Sequence, residues 1–411
     1  MPYSRKDNRP GIVLLITLMM LVILASVAYL LSARVLAYRH RTEFRINYAQ
    51  ARYACDSAVK YAMYYIEDNN IPPLSVRADI PDFSDVFAMD QEYYSEFIGA
   101  WIEQVQQGES FMAAGDVNDS NMPASASAAM IIPEDPNNYI VPGPYGPRWP
   151  YIFEPMVFEI GSASVRVEIE DENAKYPLLW SLLEDNDISR EAEMSLDVFC
   201  QWCWRDVNDV IENTDILKED IKQVGEIKKY LMDFSKAVMF TQRTDIAPGA
   251  VGSQSVVDTK ISPLRHSKDF AELLYSSLMD MDMLTRTVIE TEVRKEYPLK
   301  YISLWAPGKV NINTAPRHVL EAAFVFGGDY LEIAEEIIKR RRIQPFKDIE
   351  ALKQDLLKYS DSIKKSESFI TTQSELFTLK VTATAGVANA SAVVAYKKNG
   401  EKMEKIGIIA N

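Results

Sequence analysis

Histidine and cysteine are scarce in this chain of 411 residues, with three of each. His40, His266 and His318 are scattered, so no histidine cluster completes a zinc site, and no second cysteine pair stands at matching spacing. Cys55, Cys200 and Cys203 form an odd set with one close pair, which excludes a disulfide framework. A bridge between Cys200 and Cys203 inside a helix would be strained. With Phe199, Trp202 and Trp204 beside them, these two read as part of a buried helix. Also missing are Gly-x-Ser-x-Gly, a phosphate-binding glycine loop ending in Lys-Ser/Thr, and His-Glu-x-x-His. No catalytic constellation remains, so an enzyme is not expected.

Charge is unevenly placed. Residues 1–52 carry eight Lys/Arg and two acids, a net +6 that leaves −21 for the rest out of −15 overall. An acidic bulk argues against nucleic-acid binding as its general business and permits divalent cations. The length suffices for two or three folded units with sizeable cores.

One run breaks the ordinary composition. Residues 12–33 hold no charge, and as a helix they span roughly 33 Å, the hydrocarbon thickness of a bilayer. The run is too long for the apolar part of a cleavable signal peptide. Arginines and lysines flank it on both sides, so charge counting does not orient it. Beyond it, Leu36, Phe44, Tyr48, Ala51, Cys55, Ala58, Ala62 and Tyr65 continue at helical spacing to about residue 66. Ala49, Ala51, Ala54 and Ala58 would let this stem lie close against a sheet. Pro72-Pro73 forbids continuation past 70.

A helix is expected within 84–107, and a Pro/Gly/Ser/Asn-rich linker over 108–150. Residues 156–160 and 163–169 read as strands around a Gly161-Ser162 turn. Helical patterning dominates about 173–300. The segment from Lys309 to Leu357 then gives three short helices, with Asn313 or Thr314 expected to cap the first. Alternation predicts strands over 369–372, 377–384, 390–397 and 402–409. Four late strands and two early ones make one antiparallel sheet, so the fold class is α+β with a helical insertion.

These features in this order resemble the large K-type minor pseudopilins of type II secretion. The resemblance rests on the apolar anchor, the two early strands, the Asp171-x-x-x-Lys175 junction and the helical modules. It continues through Val310-Asn311-Ile312-Asn313-Thr314-Ala315 and the strands after Ser366-x-x-Phe369. It implies a pilin-like domain, a long anchor and stem helix packed on an antiparallel sheet, interrupted by an all-α region with a helix-hairpin-helix or SAM-like module. The divisions are a leader 1–11, a transmembrane segment 12–33, a stem 34–70 and a first α/β part with linker 71–172. An inserted helical domain 173–305, the hairpin module 306–362 and closing strands 363–411 follow. By the same resemblance a prepilin peptidase cuts between Gly11 and Ile12, and Ile12 becomes N-methylated. Ile16 holds the fifth mature position, where major pilins carry a glutamate, and its absence suits a subunit at the filament tip. The implied partners are other minor pseudopilins, the pseudopilus and an inner-membrane assembly platform. The implied place is the bacterial inner membrane, single-pass, with a short cytoplasmic tip and a periplasmic ectodomain.

Two further possibilities follow from the residues. The segment 309–357 resembles a helix-hairpin-helix unit, which would make the chain a membrane-tethered DNA-binding protein of the competence type. Against it, the hairpin reads Phe326-Gly327-Gly328-Asp329 without Gly-x-Gly, and eight basic side chains are balanced by eight acidic ones. Lys339 to Arg342 read as a solvated helix end that compensates the dipole. Asp206, Asn208 and Asp209 offer hard oxygen ligands for calcium, although Ile211 stands where a calcium loop needs glycine.

Overall fold

The computed structural model describes residues 10–68, 91–106, 148–178, 180, 188–203, 289–290, 295–303, 305, 307–400 and 402–410. Its first element is one unbroken helix, α1 (Pro10–Asp68), roughly 88 Å long at 1.5 Å per residue. No proline follows Pro10 within it, and its only glycine, Gly11, lies in the first turn, so nothing interrupts the hydrogen-bond ladder. A short helix α2 (Gln91–Gln106) comes next.

The lower part of α1 seats a five-stranded antiparallel sheet. Its strands are β1 (Met156–Ile160), β2 (Ala163–Asp171), β3 (Leu376–Ala385), β4 (Ala388–Asn399) and β5 (Lys402–Ala410), adjacent in that order. More than 200 residues separate the paired strands β2 and β3, with Val167 opposite Val381 and Asp171 opposite Phe377. Strict alternation decides which side faces the helix: Ala163, Val165, Val167 and Ile169 are buried. Ser164, Arg166, Thr382 and Thr384 lie on the solvent face.

Ala51, Ala54, Cys55, Ala58, Ala62 and Ile66 form the seat on α1. The alanines lack bulk, so the helix axis approaches the sheet closely. Ala49, expected in this seat, is exposed, because the two-residue step between it and Ala51 turns it about 200° around the axis, to the far side of the helix. Gly386 closes the β3–β4 hairpin at φ +55, where any other residue is strained, and a Cβ there would come within 2.5 Å of Asn47 Nδ2. Ser162, in the β1–β2 turn, donates to Gln50 Oε1 at 2.9 Å. These two turns fix where the sheet begins along the helix.

A second core lies in the insertion. It gathers Tyr176, Trp180, α3 (Ser189–Cys203), Tyr301, α4 (Arg317–Phe324), α5 (Tyr330–Arg341), α6 (Ile349–Asp355) and α7 (Ser360–Ser366). Trp180 meets Tyr176, Phe326 and Phe369 edge-on at 5.4–5.6 Å, while Phe326 and Phe369 stack at 3.6 Å. Ser195 on α3 donates to the Ala322 carbonyl of α4 at 2.8 Å.

The single-sheet expectation needs one correction. Ile370–Thr371 does not join the five strands; it pairs in parallel with Val310–Asn311 inside the second core. Alternation marks a strand but does not name its partner. The sheet therefore has three late strands, not four.

Candidate functional site

Among the described residues two sets stand out, those of the apolar helix and those that hold the folded parts in register. The helix comes first. Ile12 and Ile16 are each about half exposed, and every residue from 12 to 46 is open to the surroundings of the folded part. Gly11 sits in the first turn of α1. Thr17 donates to the Leu14 carbonyl at 2.9 Å and Ser26 to the Val22 carbonyl at 2.8 Å. The two hydroxyls are thereby satisfied along the helix, as hydrocarbon requires. The helix is long and apolar enough to cross a membrane.

The second set is a buried polar junction between the sheet and the insertion. It begins at the last residues of β2. Asp171 accepts from the Asn173 amide at 2.9 Å, Thr314 Oγ1 at 2.9 Å and Ser374 Oγ at 2.7 Å. Asn173 closes the loop the other way. Its Nδ2 donates to the Lys309 carbonyl at 2.7 Å, and its Oδ1 accepts from the Glu375 and Leu376 amides at 3.0 and 2.9 Å. One carboxylate and one amide thus tie the end of β2, the segment before α4 and the start of β3 together.

Val310, Asn311, Ile312, Asn313, Thr314 and Ala315 are all buried, none more than 3 % exposed. The apolar members fill the insertion's core, and the polar ones act as ties. Asn311 Nδ2 donates to Ser374 Oγ at 2.7 Å. Asn313 donates to the carbonyls of Phe346 and Thr372, each at 2.9 Å, and accepts from the Phe346 amide at 2.9 Å. Neither Asn313 nor Thr314 caps α4. Pro316 takes that position without a side-chain bond, because both candidate caps are turned inward to partners distant in sequence. Arg341, expected at a solvated helix end, is 7 % exposed and donates to the carbonyls of Ile312 and Ala315 at 2.9 and 2.7 Å. Lys339 and Arg340 do face solvent, beside Glu335 and Glu336.

Beside the junction, Lys175 Nζ bridges Glu170 Oε2 at 2.6 Å and Glu172 Oε1 at 2.7 Å, and Lys380 reaches Glu170 Oε1 at 2.6 Å. Burial alone would raise the Glu170 carboxyl. The ammoniums of Lys175 and Lys380 outweigh it and hold that carboxyl down at about 2. Burial likewise works against charge on Lys175, and the two glutamates reverse it, so its ammonium is held well above the ordinary range. Glu172 uses its other oxygen to accept from Ser303 Oγ.

The hairpin that would bind DNA phosphate is closed upon itself. The Gly327 and Gly328 amides both donate to the Phe324 carbonyl, at 2.9 and 3.0 Å. A Cβ at Gly327 would lie 1.9 Å from the Ser362 carbonyl, so α7 packs directly on the hairpin. Asp329 accepts from Ser362 Oγ at 2.8 Å. The donors that phosphate recognition needs are spent inside the fold.

The calcium candidates Asp206, Asn208 and Asp209 lie outside the described residues, as do the side chains of Cys200 and Cys203. Among the described residues no group of His, Cys, Asp and Glu is arranged to hold a metal. The residues that sequence reasoning missed are Ser374, Arg341 and Glu170. For Glu170 and Ser374 the one sequence signal is position: polar residues directly abutting strand alternation at Glu170 to Asn173 and at Ser374 to Glu375.

Residues 310–371 match the family described as Type II secretion system (T2SS), protein K. That segment is similar to the K-type minor pseudopilins of type II secretion. The match begins and ends on the parallel pair of Val310–Asn311 with Ile370–Thr371. Among solved structures, one similar chain comes from the GspK-GspI-GspJ complex of the enterotoxigenic Escherichia coli type 2 secretion system. It is 13 % identical with a TM-score of 0.37, over 64 % of this chain and 85 % of that one. No curated protein matches the chain.

Proposed function

We propose that the chain serves protein export as a tip subunit of the type II secretion pseudopilus, through assembly and not through catalysis. The observation that carries this reading is the protein K segment, 310–371, set in one chain with an exposed apolar helix long enough to span a bilayer. On this reading the leader 1–11 is removed between Gly11 and Ile12, Ile12 is N-methylated, and residues 12–33 lie in the inner membrane with the ectodomain in the periplasm. Ile16 fills the position where a shaft subunit needs a carboxylate to neutralise a neighbour's amino terminus in hydrocarbon. A subunit with no neighbour above it has no use for that carboxylate. The remaining divisions, stem 34–70, pilin-like part 71–172, inserted helices 173–305, module 306–362 and closing strands 363–411, are the parts of one rod-borne head. Other minor pseudopilins are the partners, as GspI and GspJ are for GspK in the complex named above, and the assembly platform and the prepilin peptidase act on it in turn.

Mass spectrometry of the amino terminus, on protein isolated from its own host membranes, tests the reading. A mature chain starting at methylated Ile12 is the expected result. An intact Met1 in the membrane-bound, assembled form would sink it. The DNA-binding alternative finds no support in the closed hairpin.

A further inference from the structure

The sheet does not begin where the apolar span ends. The first ties between α1 and the folded part are Asn47, against the Gly386 turn, and Gln50, against Ser162. Between Ala33 and Asn47 the helix runs free for roughly 20 Å, and every side chain from Arg34 to Ile46 is exposed. This bare length carries Arg34, Arg39, His40, Arg41 and Arg45 against a single acid, Glu43. Among the described residues, none of these arginines is in an ion pair with the folded part.

Two placements decide what such a group can meet. The first is depth. Counting from Ala33, Arg34, Arg39 and Arg41 lie roughly 1.5, 9 and 12 Å further along an upright helix. With the reach of an arginine side chain, all three guanidiniums can enter the headgroup layer, about 5–7 Å thick on each face. Arg45, roughly 18 Å along, stays outside that layer even at the full reach of its side chain. The second is direction. At about 100° per residue, Arg34, Arg39, His40 and Arg41 point to roughly 0°, 140°, 240° and 340° around the axis. Arg39 thus points away from Arg34 and Arg41, so the three guanidiniums reach to two sides of the helix and not along one stripe. A neighbouring helix touches one side, whereas headgroups surround all sides. Tyr29, just before the set, and Tyr38, within it, are 75 % and 73 % exposed, as aromatic side chains are at a membrane surface.

We infer that Arg34, Arg39 and Arg41 form a binding site for anionic phospholipid headgroups on the ectodomain side, which fixes the depth of the anchor. The guanidiniums donate paired hydrogen bonds to lipid phosphates, while Val35 and Leu36 carry the apolar surface past Arg34 and let it snorkel. The inference rests on the chain's being membrane-anchored, and not on its partners in export.

The test uses the full chain reconstituted in phosphatidylcholine bilayers containing about a third phosphatidylglycerol, with trace spin-labelled forms of each lipid. Electron spin resonance reads the relative association of each with the protein. The wild-type chain should prefer phosphatidylglycerol by about fivefold or more at low salt, as roughly 1 kcal/mol per arginine near the surface implies. That preference should fall most of the way to unity in R34Q/R39Q/R41Q and persist in R34K/R39K/R41K. R166Q, on the solvent face of the sheet, should leave it unchanged. Equal association of both lipids with the wild-type chain overturns the inference. So does a preference that survives the glutamine variant, or one removed only by neutralising Arg5, Lys6 and Arg9. Because the methylated amino terminus is not the readout, failure here is separable from failure of the secretion reading.

Discussion

Replacing Asp171 probes whether the sheet and the insertion are one cooperative body. Its carboxylate takes three donors, the Asn173 amide and the hydroxyls of Thr314 and Ser374, with no exposure to water. A bond to a charged acceptor is worth about 1.5–3 kcal/mol, and a buried donor left without one costs about 1–3 kcal/mol. Asp171→Ala should therefore destabilise by roughly 4–6 kcal/mol, a large part of the 5–15 kcal/mol typical of a domain. Asp171→Asn keeps an oxygen for the Asn173 amide and turns an NH2 toward two hydroxyls that can rotate, so about half that loss is expected. The measurement is urea unfolding of the detergent-solubilised full chain, read twice: by tryptophan fluorescence for the insertion and by hydrogen exchange of the β2 and β3 amides for the sheet. Both probes should move together. A loss under about 1 kcal/mol for the alanine variant, or a fall in insertion stability that leaves sheet exchange unchanged, would refute the coupling.

Other perturbations test other parts. His318 is buried between Tyr301 and Phe199 at ring distances of 4.6 and 5.7 Å, and burial pushes its imidazole down to about 3. The unfolded chain then binds the proton first. Stability should fall as pH drops from about 6.5 toward 3, and His318→Phe should flatten that slope in acid-unfolding curves. Glu170 acts lower: its depressed carboxyl adds stability that is full above about 4.5 and is lost as pH falls toward 2. Glu170→Gln should remove that last portion while lowering stability at pH 7. Gly386→Ala meets both a positive φ and Asn47, so thermal unfolding should show a loss of about 1–3 kcal/mol, partly restored by adding Asn47→Ala. DNA should show no salt-dependent retention of the full chain at low ionic strength in a mobility-shift assay, since the Gly327 and Gly328 amides are already bonded.

Much of the architecture was legible in the residues because it obeys simple periods. The uncharged run and the alanine seat announce α1, and the strands β1 and β2 lie where alternation around Gly161-Ser162 places them. Periodicity failed where the partner is chosen by tertiary context. Ile370–Thr371 looks like its neighbours yet pairs inside the insertion. Polar residues misled for a second reason. Asn313, Thr314 and Arg341 carry the groups of a helix cap and a solvated helix end, which is where such groups usually sit. Here each finds a carbonyl, amide or carboxylate from a remote segment, and nothing local in the sequence records that partner.

The placement of those ties closes residues 310–371 on themselves. The segment starts and stops on one parallel ladder, so its two ends are held side by side and the helices between them form a closed loop. Asn311 faces Ser374, Asn313 faces Thr372 and Phe346, and Arg341 returns to the carbonyls of Ile312 and Ala315. Every one of these polar side chains is spent on holding the loop shut or on joining it to β2 and β3 through Asp171 and Asn173. A buried polar group costs several kcal/mol unless it is paired, so changing one member alone is penalised. The Asn-x-Asn-Thr pattern is thus a structural lock. On the proposed function, the assembly surfaces are to be sought elsewhere, on the exposed length of α1 and the outward faces of the folded part, where substitution leaves the lock untouched.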